Sequence, residues 1–412
     1  MSDRRSILVL GAGTDQLPVY AEARRRGLRV IGVDRRADAP AAALCDEFHA
    51  VSTRDTEAVD RLLAGRPVAG ILAVASDASL ATQYELSRRH GLAFQPSLEA
   101  TRASMDKGCF LAMVRALGFP HYPFAQSEDP GELLAAAWSF RFPVVVKPAD
   151  GSGGKGITFV REPGDLAAAI AYAREFSFDG QILVEQCVHG RHYAVEVFIR
   201  DGRVHFLPVT EKVMTELPFM VTQGHLIPAR IDGGMHARFT RMIGALCRAM
   251  RVENGPVNFD IVVTPRGEVH FIEVGARLGG NGYPRLMKRA FGVDTVRATV
   301  QIALGEPFEL TPARSHKALL WMLGLPTRAG EGVLARIEGL DELRRHPNVE
   351  QLELLVEPGG RVRPYTQNAH RLGFVVAAGA TYEEVENALD LARAVRFECE
   401  PAAVAGGAHA AR

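Results

Sequence analysis

The sequence predicts a protein of the α/β and α+β classes with more than one domain. Its 412 residues are enough for roughly two to three domains of ordinary size, and 47% of them are apolar, which suffices for real cores. The first ~100 residues alternate strand, helix and strand, as an α/β domain does. Later apolar runs pair as hairpins, which is typical of α+β lobes.

The N-terminal segment indicates a β-α-β unit around a short glycine turn. Residues 7–10 form a strand, Gly11-Ala12-Gly13 a tight turn, and residues 17–26 a helix. Asp34 ends the next strand about 20 residues after the glycines, where a dinucleotide-binding domain carries its ribose-binding acid. Gln16, however, stands where the third glycine of that fingerprint belongs. Two interpretations remain open: an NAD(P)-binding domain, or a Rossmann-like domain whose loop serves another purpose.

A later strand and a helical connection follow this unit. Residues 70–74 form an apolar strand, and Ser76-Asp77 come directly after it, where strand ends offer ligand-facing groups. Residues 97–118 are predicted as one connecting helical segment that contains Asp106-Lys107.

The glycine-rich stretch VVVKPADGSGGKGITFV, residues 144–160, contains the spacing G-x-G-x-x-G. That spacing marks a dinucleotide site only between a strand and a helix. Here the β-branched and aromatic run Ile157-Thr158-Phe159-Val160 follows the glycines, so they join two strands. Such a loop can turn backbone N–H groups onto phosphates, which makes it a candidate flap. The alternative is a mobile surface hairpin.

Two other phosphate-binding motifs are excluded for this stretch. A P-loop requires G-x-x-x-x-G-K-[ST], whereas Ala149 stands at the first glycine position and Gly156 follows Lys155. Protein kinases place their lysine after the glycine loop, and the sequence has no H-R-D or D-F-G triplet.

The rest of the chain alternates helices and hairpins. The predicted elements are a helix at 163–176, a strand at 182–185, a hairpin of strands 193–199 and 204–209, a helix at 237–250, and a hairpin of strands 259–263 and 269–274. Residues 317–399 are expected to form a further α+β lobe, and residues 401–412 a disordered tail.

Charge and cysteine content exclude several classes of function. Lys plus Arg equals Asp plus Glu at 48 each, so we expect no nucleic-acid partner. The five cysteines form no C-x-x-C pair, which argues against a disulfide framework and a structural zinc site. No apolar run approaches membrane-spanning length, and the start lacks a signal segment. We therefore expect a cytoplasmic protein with no membrane partner.

Charged residues at strand ends form a set that suits a nucleotide. Lys147 ends the strand before the flap, Glu185 ends the next, and Asp260 and Glu273 occupy the two strands of the later hairpin. Arg277 lies four residues beyond Glu273. Lysines offer point charges to phosphate oxygens, and carboxylates with phosphates complete the shell of Mg²⁺. The arginine can stabilise charge that develops during group transfer.

These motifs together resemble the ATP-grasp superfamily of ATP-dependent carboxylate–amine ligases. Three shorter elements, Thr210-Glu211-Lys212, Gly224-His225 with Pro228, and E-V-G-A-R-L-G-G, are similar to its branch of dipeptide-forming L-amino-acid ligases. The resemblance covers nearly the whole chain. The matching stretches are Asp106-Lys107, Val146-Lys147-Pro148 with the flap, Val184-Glu185-Gln186 with Gly190 and the stretch Tyr193–Glu196, Asn258-Phe259-Asp260, and residues 271–280.

The resemblance implies a division of the chain and a set of roles. The segments are a Rossmann-like domain at 1–98, a small ATP-grasp lobe with the flap at 99–188, a large lobe at 189–312, a C-terminal lobe at 313–400, and the tail at 401–412. The implied ATP-binding residues are Lys107, Lys147, Ser152, Gly153, Gly154, Gly156, Glu185, Gln186, Val188 and His192. Asp260 and Glu273 would bind Mg²⁺, with Mn²⁺ as an alternative. Arg277 and Lys147 would be catalytic, and the substrate-binding set is Thr222, His225, Arg277, Gly279, Gly280 and Asn281.

The implied reaction joins a small carboxylic acid, such as an amino acid, to an amine through an acyl phosphate, and the resemblance suggests a homodimer. Four features depart from the pattern. His192 replaces a ribose-binding Glu, Gly275 a third metal ligand, and Thr222 a carboxylate before His225. The fourth is Asn281-Gly282-Tyr283-Pro284, which follows the Gly-Gly where relatives often place an acid. We hypothesise from Thr222 that the activated acid lacks a standard α-ammonium group, or presents it differently.

Structural roles remain alternatives for several of these residues. Lys107 could lie on a surface helix face, Glu185 and Arg277 could brace the fold, and His225 could be a core histidine. The rival functions are another ATP-grasp ligation, in nucleotide or cofactor biosynthesis, a carboxylate phosphorylation, and a nucleotide-binding regulatory module without turnover.

Overall fold

The structure is a computed structural model that describes residues 4–151 and 154–401. The chain divides into two compact units, Met1–Lys212 with Ile227–Ser315, and Val213–Leu226 with His316–Arg412. The five segments expected from the sequence stay a prediction at that finer level. No helix in the described ranges is both long enough and apolar enough to cross a membrane.

The first unit begins with a parallel sheet. Its strand order is β3-β2-β1-β4. The chain therefore adds β2 and β3 on one side of β1 and then crosses to add β4 on the other side. In such sheets a crevice forms at the carboxyl ends of the two strands where the direction reverses, here β1 and β4. The elements are β1 (Ser6–Leu10), α1 (Leu17–Arg25), β2 (Arg29–Asp34), β3 (Glu47–Ala50), α2 (Thr56–Leu63), β4 (Gly70–Ala73) and α3 (Leu80–Arg89).

The connecting segment is two helices, not the single one expected. α4 (Leu98–Met105) ends and α5 (Lys107–Ala116) begins at Asp106. Asp106 has an extended backbone, and its carboxylate accepts the Cys109 N–H at 2.9 Å, as an N-cap residue does. The break makes Lys107 the first residue of α5.

A small antiparallel sheet carries the flap and confirms the predicted hairpin. Its order is β5-β8-β6-β7, and β6 and β7 pair directly on the two sides of the glycines. Val144, Val146 and Val184 pack in its core with Ile170 of the covering helix. The elements are β5 (Phe124–Ser127), α6 (Pro130–Ala137), β6 (Val144–Pro148), β7 (Thr158–Val160), α7 (Leu166–Arg174) and β8 (Ile182–Gln186).

A larger antiparallel sheet completes the first unit, with the order β14-β13-β9-β11 and β10 paired to β9. The expected strand 204–209 is interrupted because Leu207-Pro208 separates β10 from β11 and Pro208 has no N–H for a ladder bond. The elements are β9 (Arg191–Arg200), β10 (Arg203–Phe206), β11 (Val209–Met214), β12 (Thr222–Ile227), α8 (Gly233–Ala249), β13 (Gly255–Val263), β14 (Val269–Gly275), α9 (Tyr283–Phe291) and α10 (Thr295–Ala303). Most of β12 belongs to the second unit.

Three aromatic rings fasten α5 onto this sheet. Phe110 of α5 contacts Phe259 and Phe271 with ring centroids 6.2 and 6.3 Å apart, and the latter two rings lie 5.8 Å apart. All three side chains are fully buried. Aromatic pairs at such distances add to the free energy of burial, so they hold the N-terminal end of α5 beside β14.

The second unit is an α+β lobe with two sheets, ordered β12-β15-β19-β17 and β18-β16-β20. Thr381 and Glu384 form a capping box at the start of its last helix. The further elements are β15 (Lys317–Leu323), β16 (Gly332–Glu338), α11 (Leu340–Arg345), β17 (Val349–Leu354), β18 (Arg361–Val362), β19 (Gly373–Gly379), α12 (Tyr382–Ala394) and β20 (Arg396–Pro401).

Candidate functional site

Lys147 and Glu185 form an ion pair inside the small sheet. They lie on the neighbouring strands β6 and β8, and Lys147 Nζ donates to Glu185 Oε1 at 2.6 Å. Their side chains are 5% and 6% exposed. Taking either charge out of water alone would be costly, so each makes the other tolerable. The ATP contacts expected of each residue stay predictions, and the structure adds that the two side chains are bonded to each other.

Lys107 connects the base of the flap to the later hairpin. Its ammonium donates to Ala149 O at 3.3 Å and also to Gly151 O, and it lies 4.0 Å from Glu273 Oε2. Burial lowers the pKa of Lys107, and the Glu273 charge opposes that shift. Lys107 is therefore a buried residue of the site, and the surface-face alternative is wrong.

Asp260 and Glu273 lie on the paired strands β13 and β14, as the sequence predicted, and directly opposite each other. Directly opposed residues of an antiparallel pair have neighbouring side chains. Lys212 of β11 donates to Asp260 Oδ2 at 2.6 Å. Burial raises the pKa of Asp260 and Lys212 opposes it. Burial also acts to raise the pKa of Glu273, but four cations hold it below its usual value: Lys107, Lys147, Lys212 and Arg277.

This carboxylate pair fits Mg²⁺ bound together with phosphates. Within the described ranges no group of three or more His, Cys, Asp or Glu residues is placed to hold a metal ion. Mg²⁺ is commonly held by one or two carboxylates, with phosphate oxygens and waters filling the rest of its octahedral shell. Two facing carboxylates close to several cations therefore suit a nucleotide-bound metal better than a protein-only metal cage.

Arg277 is bonded to an aspartate that the sequence analysis noted only as a strand-end residue. Arg277 Nη2 donates to Asp77 Oδ2 at 3.0 Å, and the two side chains are 16% and 20% exposed. A Cβ at Gly275 would lie 2.8 Å from both the Arg277 guanidinium carbon and Asp77 Oδ1. The space that a third metal ligand at position 275 would need is thus filled by this pair.

The loop after Arg277 packs on three separate segments. Gly279 N donates to Glu196 Oε2 at 3.3 Å, Ala75 N donates to Leu278 O at 2.9 Å, and Asn281 N donates to Asp15 Oδ1 at 3.1 Å. A Cβ at Gly280 would lie 2.9 Å from Ala75 Cβ. These close approaches explain the glycines at 279 and 280. The substrate-binding role of Gly279, Gly280 and Asn281 stays a prediction.

Glu196 is a functional candidate that the sequence analysis left within a quoted motif. It lies on β9 and is fully buried. Burial raises its pKa to about 7, although Arg277 and the Gly279 amide oppose the shift. The available signal was a lone acid in the apolar strand 193–199, where a carboxylate needs a partner.

The crevice of the N-terminal sheet is filled by the chain itself. The Leu278 carbonyl reaches Ala75 beyond β4, and Gln16 Nε2 donates to Val74 O at 2.8 Å. Asp34 accepts the Ala12 N–H and the Arg36 N–H, each at 3.0 Å. The acid that would bind a ribose is therefore engaged by its own glycine turn. These contacts favour a Rossmann-like domain whose loop serves another purpose.

The predicted hinge and ribose contacts are only partly open to a ligand. Gln186 N and Cys187 N already donate to Pro123 O and Pro143 O at 2.9 and 3.0 Å. Those two N–H groups are therefore already engaged, and the main-chain contact of residues 185–188 to adenine stays a prediction. Burial, with Lys212 opposite it in the sheet, lowers the pKa of His192 to about 4, so its ring is neutral at pH 7.

The flap glycines are described only in part. Gly154 and Gly156 have φ of +81° and +69°, which glycine adopts without strain. A Cβ at Gly156 would lie 3.0 Å from Phe176 and Pro148 atoms. Ser152 and Gly153 lie outside the described residues, as does nearly all of the tail predicted at 401–412.

Thr222 and His225 belong to the second unit. Thr222 O accepts the Tyr365 hydroxyl at 2.7 Å, and Thr222 Oγ1 lies 3.8 Å from Met214 Sδ. His225 is buried, with 1% of its surface exposed, as the core-histidine alternative expects. Their substrate-binding roles stay predictions.

Comparison with known proteins identifies the fold. Residues 140–285 match a family model described as an ATP-grasp domain, and residues 327–400 match the L-amino acid ligase C-terminal domain 2. A formate-dependent phosphoribosylglycinamide formyltransferase of Stenotrophomonas maltophilia (strain K279a) is 31% identical, with 96% of each chain covered.

Two solved structures show the same fold. One is the L-amino acid ligase from Bacillus licheniformis, with a TM-score of 0.81, 20% identity, and 97% of this chain and 100% of that chain covered. The other is the biotin carboxylase domain dimer of Hydrogenobacter thermophilus 2-oxoglutarate carboxylase, in complex with MgADP, ADP and bicarbonate. It has a TM-score of 0.73 and 15% identity, with 96% of this chain and 91% of that chain covered. The resemblance and fold class expected from the sequence are confirmed.

Proposed function

The chain belongs to the ATP-grasp superfamily of carboxylate–amine ligases, and from this premise we propose that it activates a small carboxylic acid as an acyl phosphate and joins it to an amine, with release of ADP. The observation that carries the proposal is the position of Lys107. Its ammonium bonds the carbonyls at the flap base and faces Glu273, which lies opposite Asp260. Flap, cation and metal carboxylates thus meet around one side chain.

ATP would lie with its phosphates against these groups. Lys107 and Lys147 would balance the charge of the α- and β-phosphates, and the flap amides would cover the γ-phosphate. Asp260 and Glu273 would hold Mg²⁺, which supplies positive charge to the phosphate oxygens. Mn²⁺, another cation that accepts oxygen ligands, is the alternative ion.

The reaction then needs two transfers. An oxygen of the substrate carboxylate attacks the γ-phosphorus, the bond to the β–γ bridging oxygen breaks, and ADP leaves. The amine nitrogen attacks the carbonyl of the acyl phosphate, the C–O bond to phosphate breaks, and the nitrogen loses a proton. Arg277 would stabilise the oxyanion of the tetrahedral intermediate, and the closed flap would keep water from the acyl phosphate.

An amino acid or its analogue is the acid that we propose, with a dipeptide or related amide as product. The match of residues 327–400 to an L-amino acid ligase domain and the fold shared with the Bacillus licheniformis ligase support this choice. A second candidate follows from the 31% identical relative, whose name states a formate-dependent reaction. Formate is a carboxylic acid without an α-ammonium group, in agreement with the hypothesis drawn from Thr222. Comparing Thr222→Glu with wild type on acids with and without α-amino groups tests that hypothesis, and an unchanged preference would contradict it.

We also propose that the protein is a homodimer in the cytoplasm. The solved Hydrogenobacter thermophilus domain, which shares the fold, is described as a dimer. Gel filtration with light scattering on the purified chain measures this directly, and a monomer across micromolar concentrations would contradict it.

ADP and phosphate release test the proposed reaction. Purified protein is incubated with ATP and Mg²⁺ and one of two substrate sets: the pooled twenty amino acids, or formate with phosphoribosylglycinamide. Each set is compared with a reaction that contains ATP and Mg²⁺ but no substrate. The second set is also run with formate alone and with phosphoribosylglycinamide alone. Release that requires the complete set, with an amide product by mass spectrometry, supports a ligase and selects the substrate class. Nucleotide binding without release in any set would instead indicate a regulatory module.

A further inference from the structure

The N-terminal parallel sheet contributes a carboxylate to the Arg277 guanidinium. Asp77 begins the short helical turn Asp77–Ser79 that follows β4, 200 residues before Arg277 in the chain. The bond between Arg277 Nη2 and Asp77 Oδ2 is 3.0 Å long. An N⁺–H···O⁻ bond of this kind is stronger than one between neutral groups and also restricts direction.

The backbone around Asp77 is held on several sides, so its carboxylate has a defined place. Ala75 N donates to Leu278 O at 2.9 Å, one residue beyond Arg277. Val74 O accepts Gln16 Nε2 at 2.8 Å, and Ser76 O accepts the Ser79 hydroxyl at 3.3 Å. The Asp77 and Arg277 segments are therefore joined by their backbones as well as by the ion pair.

The two side-chain ends lie close against Gly275. A Cβ there would lie 2.8 Å from atoms of both residues, so a larger residue would displace the end of one side chain or the other. Burial works against the charged guanidinium, but Asp77, and more weakly Glu273 and Glu196, raise the pKa of Arg277. Asp77 is the carboxylate among these three with a direct hydrogen bond to it in the described structure.

We propose that Asp77 is a positioning residue, which orients the Arg277 guanidinium for the reaction, so that the N-terminal domain acts through this contact. The inference rests on the proposed function of Arg277 at the tetrahedral intermediate. The bond to Asp77 directs Nη2 of the guanidinium toward the end of β4. Because the group is planar and rigid, fixing this N–H restricts the directions of its other N–H groups. Misplacing a charged catalytic group by about 1 Å can lower a rate by a factor of the order of 100.

Crystal structures provide the first test, which needs no substrate. Wild type, Asp77→Ala and the exposed control Asp38→Asn are crystallised under one condition. In Asp77→Ala we expect the Arg277 guanidinium to leave its wild-type place while the backbone of 275–278 keeps its course. A guanidinium that stays in place without Asp77 overturns the inference.

A double-mutant cycle on amine-dependent ADP release provides the second test. Asp77→Asn keeps the size of the side chain, and we expect a kcat lower by a factor of roughly 10 to 100, with KM for ATP little changed. In an Arg277→Lys background the same change should cost less than about threefold, because residues that act through one contact are not additive. Equal costs in both backgrounds overturn the inference.

The outcomes separate the inference from the proposed function. Wild-type turnover by Arg277→Lys and Arg277→Ala would remove the proposed role of Arg277 itself. Loss of turnover in those variants, with wild-type kcat in Asp77→Asn, would leave that role standing and overturn the inference alone. If neither substrate set yields turnover, the proposed function fails and the crystal structures still decide whether Asp77 holds Arg277.

Discussion

Lys147 and Glu185 are joined by a 2.6 Å hydrogen bond, and neither side chain is more than 6% exposed. The lysine that the motif assigns to ATP phosphates is therefore paired with the carboxylate of its own strand neighbour. A phosphate group that approaches Lys147 meets a cation already oriented by Glu185. The pair thus has consequences for both stability and turnover.

Breaking this pair from one side should destabilise the protein. Lys147→Met leaves the Glu185 charge buried alone, and we expect a loss of about 3–5 kcal/mol in unfolding free energy. The double variant Lys147→Met/Glu185→Leu should recover most of that loss, since an apolar pair of similar volume is often neutral. Urea unfolding followed by circular dichroism measures the change.

A surface pair provides the control. Arg88→Met removes a partner from the half-exposed Glu85 pair and should cost less than about 1 kcal/mol. If Lys147→Met/Glu185→Leu were as unstable as Lys147→Met alone, the instability would not come from an unpaired buried charge on Glu185, and the prediction would be wrong.

Turnover should require the cation and the metal carboxylate equally. Lys147→Ala and Glu273→Ala each remove charge that stabilises the transferring phosphoryl group, so we expect ADP release to fall by roughly two orders of magnitude or more. Glu268→Ala, one residue before the strand that carries Glu273 and 53% exposed, is the matched control and should keep the wild-type rate. Wild-type rates in both site variants would refute the proposed function.

Metal removal should stop the reaction reversibly. EDTA is expected to abolish ADP release and added Mg²⁺ to restore it, because two carboxylates and the phosphates make up the proposed shell. Asp260→Asn should raise the Mg²⁺ concentration needed for half-maximal rate by about tenfold or more, since one charged ligand is lost. An unchanged Mg²⁺ dependence in this variant would remove Asp260 from the shell.

Adding the missing third ligand should harm the enzyme. The side chain of Gly275→Asn would enter space filled by Arg277 and Asp77, so we expect ADP release to fall at least about tenfold. Gly267→Asn is the control: a Cβ there meets nothing within 4 Å, and asparagine tolerates its positive φ. Increased activity in Gly275→Asn would show that the pair yields to a third ligand.

His192 should make the fold sensitive to acid. Its pKa falls from 6.5 to about 4 on folding, so the unfolded chain takes up the proton first as pH decreases. The stability from the neutral ring is therefore complete above pH 6.5 and is lost toward pH 4, by an amount of the order of 3 kcal/mol. His192→Gln should show a shallower loss in urea midpoints across this range. Parallel curves for both proteins would contradict the shift.

Local patterns in the chain were sufficient for much of the fold. The β-branched runs on both sides of the flap glycines predicted the hairpin, and the pattern of residues 259–274 placed Asp260 and Glu273 on its two strands. That they lie directly opposite each other depends on a shift in register between Asp260 and Ile261, because regular pairing would place Ile272 opposite Asp260. The break at Asp106 was missed because the helical pattern continues through it. The signal was available, since an aspartate is a preferred N-cap residue.

Contacts between distant segments leave no local pattern in the sequence. Asp77 and Arg277 are 200 residues apart, and Glu196 and Gly279 are 83 apart. Glu196 alternates like a core residue of β9, and only the packed loop shows which atom it bonds.

The sequence by itself determined most of the elements, the glycine flap and the set of charged residues, because strand and helix periodicity is a property of neighbouring residues. The tertiary structure alone decided how the charges are divided: Lys147 with Glu185, Lys212 with Asp260, and Arg277 with Asp77. The physical reason is that a buried charge must find a counter-charge among whatever elements pack around it. Which counter-charge it pairs with depends on which strands and loops pack together, and local periodicity does not specify that packing.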